Sequence, residues 1–118
     1  MTATDLEVNT FQKNPAYRYI RQTDNLPGVL AGHKEDPPMA RIKIFDPTGS
    51  WTWYIQSYDP ETRIAFGLVD GFCVEYNSFS MKELCAVRGS FGLPLERDIH
   101  FKPCDIRELE PRLQEKKS

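Results

Sequence analysis

The chain has 118 residues, 40% of them hydrophobic and 27% charged, which is ordinary globular usage and enough for one domain with its own core. Its formal net charge is -2. Proteins held to nucleic acid by phosphate neutralisation carry a basic excess that this chain lacks globally, so DNA or RNA is not favoured as the main partner.

Residues 1–24 read as a largely polar N-terminal arm whose apolar content includes Phe11, Tyr17, Tyr19 and Ile20. The step from Tyr17 to Ile20 suits a short helix after Pro15. Two readings stay open: a loosely attached tail, or an arm that docks on the domain or on a partner. The arm has no basic, apolar leader, and no stretch of the chain approaches the roughly 20 apolar residues of a membrane helix. No signal peptide, no membrane association and a cytoplasmic location are therefore expected.

A single domain is expected over residues 25–113. Asn25-Leu26-Pro27-Gly28 has turn chemistry, and His33 to Pro38 reads as an exposed connector. From Ala40 the period changes to two, with Ile42 and Ile44 on one face and Arg41 and Lys43 on the other. Asp46-Pro47-Thr48-Gly49 suits a type I turn. A longer strand follows from Trp51 to about Tyr58. Strict alternation puts Trp51, Trp53 and Ile55 on the core face, and Tyr54, Gln56 and Tyr58 on the other. After Asp59-Pro60, a third strand runs from Ile64 to Val69. Asp70-Gly71 predicts a two-residue hairpin loop with positive φ, leading into a fourth strand from Phe72 to Tyr76.

Short turns between consecutive strands predict antiparallel pairing. Ser80 and Glu83 form a capping-box pattern, with Met81, Leu84 and Cys85 on one face of a helix ending near Arg88. A last short strand is expected at about Ile99 to Lys102. Asp105 then caps a final helix with Leu109 and Leu113 as its stripe, and residues 114–118 read as a fraying tail. The fold class is α+β: an antiparallel four- to five-stranded meander covered by one or two short helices.

Cys73, Cys85 and Cys104 are odd in number and widely spaced, with no C-x-x-C pair, so they read as reduced core residues. Tyr54 and Tyr58, opposite the tryptophans, are candidates for an interaction surface together with Glu96, Arg97, Asp98 and His100, because exposed aromatics are enriched at interfaces. With Arg41 and Lys43 the two tyrosines would also serve a nucleic-acid-binding module, since sheet aromatics stack bases. Glu96, Arg97, Asp98 and His100 gather two carboxylates, a guanidinium and an imidazole in five positions, a set that acid–base chemistry could use if the groups converge. Neighbouring strand positions do not converge, however: Glu96, Asp98 and His100 would share a face without Arg97. A structural ion-pair network is the simpler reading, and no metal is expected because no second histidine lies near. Glu75 is expected to pair with Arg63 or Arg88. Gly89-Ser90-Phe91-Gly92 lacks the Lys-Ser or Lys-Thr of a phosphate loop, and no nucleophile elbow occurs. No catalytic residue and no cofactor are expected.

Four phrases then occur in order: Asp46-Pro47-Thr48-Gly49-Ser50-Trp51-Thr52-Trp53-Tyr54, Ala65-Phe66-Gly67-Leu68-Val69-Asp70-Gly71-Phe72, Ser80-Met81-Lys82-Glu83-Leu84 and Leu95-Glu96-Arg97-Asp98-Ile99-His100-Phe101-Lys102-Pro103. Together they resemble the domain of unknown function 2958 family over about Asn25 to Leu109. The resemblance implies a bacterial, often plasmid- or phage-borne setting near anti-restriction and replication genes, and supplies no site residues. The expected function is a small non-enzymatic interaction protein with a protein partner. In its sharper form it is a mobile-element anti-defence factor that acts by occupying a partner surface. The alternatives are a small enzyme using Glu96, Asp98 and His100, or the nucleic-acid module. Homo-oligomerisation is left open.

Overall fold

The central sheet forms where the sequence alternates most regularly, and its strands are short because proline-containing turns punctuate them. The structure is a computed structural model that describes residues 5–9 and 18–117. The sheet contains β4 (Ile42–Phe45), β5 (Thr52–Asp59), β6 (Ile64–Asp70), β7 (Val74–Ser80) and β8 (Glu96–Arg97). They are antiparallel in the order β7-β6-β5-β4-β8. A two-stranded ribbon, β1 (Asp5–Val8) with β2 (Arg18–Arg21), precedes it. A second pair joins β3 (Met39–Ala40) to β9 (Cys104–Asp105). Three α-helices lie among the described residues: α1 (Val29–His33), α2 (Met81–Ala86) and α3 (Ile106–Lys117). The α+β meander with helical covers is thus observed, with five strands in the main sheet.

Each face of the sheet has its own cover. On one side, Ile42, Ile44, Ile55, Tyr58 and Ala65 pack with Tyr19 and Ile20 of β2, with Met81, Leu84 and Cys85 of α2, and with Leu95. On the other, Tyr54, Leu68 and Val74 pack with Ala40 and with Ile106, Leu109 and Leu113 of α3. Ser80 caps α2 by accepting from Glu83 N at 3.2 Å, as the capping-box pattern predicts. Asp105 Oδ1 accepts from Arg107 N at 2.8 Å at the start of α3.

A bulge decides which side chains meet which cover. Ile55 pairs with Gly67, but Ser57 pairs with Phe66, so Gln56 is an extra residue in β5. Strict alternation therefore breaks after Ile55, and Tyr58 lands on the Ile55 face, opposite to Tyr54. Gly67 faces the bulge. A Cβ there would lie 1.8 Å from the Tyr54 carbonyl oxygen, so any other residue requires the backbone to move.

Several expectations are corrected. The segment around Tyr19 and Ile20 is strand rather than helix; both residues are buried in the core, which decides between the two open readings of the arm in favour of docking on the domain. The expected helix turn from Pro15 to Tyr17 lies outside the described residues. The loop after Asp70 has three residues, 71–73, and Gly71 has no positive φ. Its missing Cβ instead makes room for the Trp51 ring, which would come within 2.3 Å of one. No strand forms at Ile99 to Lys102; the chain bridges as β8 before it and β9 after it. The expected fraying tail continues α3 to Lys117, where Nζ reaches Gly71 O at 2.7 Å and Asp70 Oδ1 at 2.9 Å.

Candidate functional site

Tyr54 and Tyr58 do not offer a surface. They are only 5% and 4% exposed, on opposite faces of the sheet. Both faces are covered at this part of β5, so Tyr54 and Tyr58 are buried although they point opposite ways. Trp53, expected in the core, packs half-buried against it, whereas Trp51, also expected there, is half-buried and edge-on to the exposed Phe72 at 5.2 Å between ring centroids. Burial raises the Tyr54 phenol to about 12, with the nearby Asp70 carboxylate adding to the shift. Arg41 is committed as well: its guanidinium pairs with Glu35 and also donates to Gln56 O at 3.1 Å. That pairing, chiefly through the Arg41 hydrogen bond, holds the Glu35 carboxyl below its ordinary 4.5. The residues a base-stacking sheet would need are thus inside the fold or paired.

Glu96 to His100 stays at the surface, and its geometry follows from its place on the sheet edge. β8 pairs with β4 through Phe45↔Glu96 and Ile44↔Arg97, and Asp98 N extends the pairing to Lys43 O at 2.9 Å. Arg97 forks onto Asp24, with NH1–Oδ2 2.7 Å and NH2–Oδ1 2.8 Å, and also donates to Tyr19 O at 3.3 Å. A bidentate pair of this kind fixes orientation as well as distance. Burial pushes the Asp24 carboxyl up, but the Arg97 hydrogen bonds and the Arg21 backbone N–H outweigh it and hold the group below 3.8.

Beyond Arg97 the chain turns. Phe101 N donates to Asp98 O at 3.2 Å, and His100 N to Asp98 Oδ1 at 2.9 Å. Ile99 and His100 are therefore the central residues of a hydrogen-bonded turn. Lys43 Nζ lies 3.8 Å from Asp98 Oδ2 and steadies its base. Ile99 stands 82% exposed at the tip.

The turn separates two open concavities. One, of about 460 Å³, is lined by Lys43, Phe45, Asp46, Thr52, Asp98 and His100; the other, of about 620 Å³, by Arg18, Arg21, Thr23, Asp24 and Glu96. Ile99 and Arg97 border both. Glu96 thus opens to one side while Asp98 and His100 open to the other. The three groups do not converge, and Asp98 is already engaged by His100 N and Lys43. Among the described residues, no group of three His, Cys, Asp or Glu side chains could hold a metal ion. The second concavity is not an anion trap either. Arg18 and Arg21 both face Asp5, at 3.0 and 3.2 Å, Arg97 is spent on Asp24, and Glu96 adds a further negative charge.

One polar cluster has no forewarning in the sequence. Glu7 is 1% exposed and accepts from Arg63 Nε at 3.0 Å and NH2 at 2.6 Å, from the Tyr58 hydroxyl, and from Cys85 Sγ at 3.3 Å. Arg63 is therefore Glu7's partner rather than Glu75's, and Glu75 is exposed. Burial, with the Glu7 hydrogen bond and charge, pushes the Cys85 thiol up to about 12, which suits a structural donor and not a nucleophile. In Leu6-Glu7-Val8 alternation alone would send Glu7 to solvent, so only knowledge of Arg63, 56 positions away, could have placed it inside.

The model of the family described as "Protein of unknown function (DUF2958)" matches residues 16–107, and the chain belongs to that family. The match begins before Asn25, in keeping with the buried Tyr19 and Ile20. No curated protein and no solved structure matches the chain.

Proposed function

We propose that this DUF2958 protein is a non-enzymatic protein-binding module that acts by occupying a partner surface, and that the Asp98–Phe101 turn is its contact. The observation that carries the reading is Ile99. A branched apolar side chain stands 82% exposed at the tip of a turn, between two concavities. Hydrogen bonds from Phe101 and His100 to Asp98 hold that turn in place. A central apolar anchor with a charged rim is the arrangement that concentrates binding energy at interfaces. The rim here is Lys43, Asp98, Glu96 and Arg97. Its ion pairs hold the turn before any partner arrives, so less ordering entropy is lost on binding.

The experiment is a paired capture from the lysate of a natural host, using the native protein, Ile99→Asp, and Phe72→Ser as a control for an exposed apolar residue elsewhere. A stoichiometric partner retained by the native protein and Phe72→Ser, and lost by Ile99→Asp, is the expected result. Recovery of no stoichiometric partner, or one indifferent to Ile99→Asp, overturns the reading. The sharper anti-defence role rests on the mobile-element setting that the family resemblance implies. It is tested by whether expression protects incoming plasmid DNA from a host restriction system, and whether Ile99→Asp abolishes that protection.

A further inference from the structure

β7 ends the five-stranded sheet, and it is a full seven residues long. Which of its backbone groups face outward follows from two hydrogen bonds that bracket the β6–β7 ladder. Gly71 N donates to Cys73 O at 3.1 Å, and Met81 N to Arg63 O at 2.8 Å. In the register that runs from Asp70↔Val74 to Ile64↔Ser80, both bonds fall on odd-numbered pairs. Bonded and non-bonded pairs alternate along an antiparallel ladder, so Glu75, Asn77 and Phe79 bond to β6, while Val74, Tyr76 and Ser78 turn N–H and C=O outward. Two side chains agree with this parity. Gln114 Nε2 donates to Val74 O at 3.3 Å, and Asn77 Oδ1 accepts from Ser78 N at 2.8 Å. Between these two caps, Tyr76 directs its backbone groups to where no strand of the described residues lies. Glu75 to Ser78 are exposed, and β7 carries neither the proline nor the lysine that commonly blocks an edge.

We propose that this edge pairs antiparallel with the same edge of a second copy of the chain, about a two-fold axis at Tyr76. Outward residues must face outward residues, so a symmetric axis within the exposed stretch can sit at Glu75, Tyr76 or Asn77. An axis at Glu75 sets two like carboxylates directly opposite one another, which is repulsive. An axis at Asn77 leaves Glu75 facing Phe79, with no partner for its charge. The axis at Tyr76 sets each Glu75 against Asn77 of the other copy, an amide donor facing a carboxylate, and does so twice. It also pairs Ser78 N–H with Val74 C=O, the two groups that Asn77 and Gln114 cap within a single chain. Those caps are the single chain's substitute for the second strand, and pairing releases them. The product is one continuous ten-stranded sheet, closed by symmetry, with the Ile99 turn of each copy free at the far edge.

The test is sedimentation equilibrium of the full chain over a concentration series, with thermal melts to confirm that each variant is folded. A reversible monomer–dimer equilibrium is expected for the native chain. Asn77→Glu creates two carboxylate pairs across the axis and weakens the dimer about tenfold, from two cross-strand pairs. The double variant Glu75→Lys/Asn77→Glu restores it, and Ile99→Asp leaves it unchanged. A chain monomeric at every concentration overturns the inference. So does a dimer indifferent to Asn77→Glu, one the double variant fails to restore, or one lost with Ile99→Asp, which would place the contact at the turn instead.

Discussion

Replacing Glu7 by glutamine tests the packing of the N-terminal ribbon most directly. The carboxylate is sealed from solvent and receives hydrogen bonds from Arg63, Tyr58 and Cys85. A net contribution of about 1.5–3 kcal/mol is usual for a hydrogen bond to a charged group. Glutamine keeps the shape and one acceptor oxygen but loses the charge, and it turns an N–H₂ group toward donors. Removing one partner of a fully buried ion pair costs about 3–5 kcal/mol. The Arg63 side chain is 38% exposed and can recover water, so the cost should fall below that range. The expected loss for Glu7→Gln is therefore about 2–3 kcal/mol, read as a lower urea midpoint at unchanged slope. Tyr58→Phe removes one donor to the same carboxylate, so the two changes should be non-additive by about 1–2 kcal/mol in a double-mutant cycle. A Glu7→Gln protein within about 0.5 kcal/mol of the native one would refute the buried pairing, because that is what a surface substitution does.

The cysteines should separate by environment. In alkylation at pH 8 followed by peptide mapping, exposed Cys73 is modified in the native protein, while Cys85, buried and raised to about 12, is modified only after denaturant is added; equal labelling of the two would contradict the core described above. Acid should selectively remove the Asp24–Arg97 contribution. The folded Asp24 carboxyl titrates below its ordinary 3.8, so the pair stabilises fully above that value and fades as pH falls through the folded value. The urea midpoints of the native protein and Asp24→Asn should therefore differ at pH 7 and converge as pH falls below the ordinary 3.8. A difference that widens in acid has the wrong sign for this pairing.

Local chemistry made most of the sheet legible in advance. The Ile42/Ile44 alternation, the Asp46 turn, the β6 run and the Ser80 cap all arise from contacts within a few residues, and all are present. What stayed hidden depends on distant chain. The bulge at Gln56 needs the missing Cβ of Gly67 across the ladder, and one extra residue is enough to reverse the face of Tyr58. Alternation points the tyrosines to the surface when only one face of the sheet is expected to be covered, whereas α3 covers one face while β2 and α2 cover the other. Strand alternation would have put Glu96, Asp98 and His100 on one face, but the strand stops at Arg97 and the turn that follows divides them.

The N-terminal ribbon connects these observations. It carries Glu7 to the end of β5 near Tyr58 and Arg63, and Asp24, just beyond it, fixes Arg97 beside the exposed turn. The same short region thus closes the core and sets the base on which Ile99 is presented. Polar composition leaves a loose tail and a docked arm equally open, and the buried charges with partners decide for the docked arm. Glu7 has Arg63, Asp24 has Arg97, and both partners come from the domain on which the arm docks. A partner-binding turn held this way responds to the ribbon's stability. Glu7→Gln should therefore weaken partner capture only as far as it unfolds the protein, whereas Ile99→Asp should weaken capture with the fold intact.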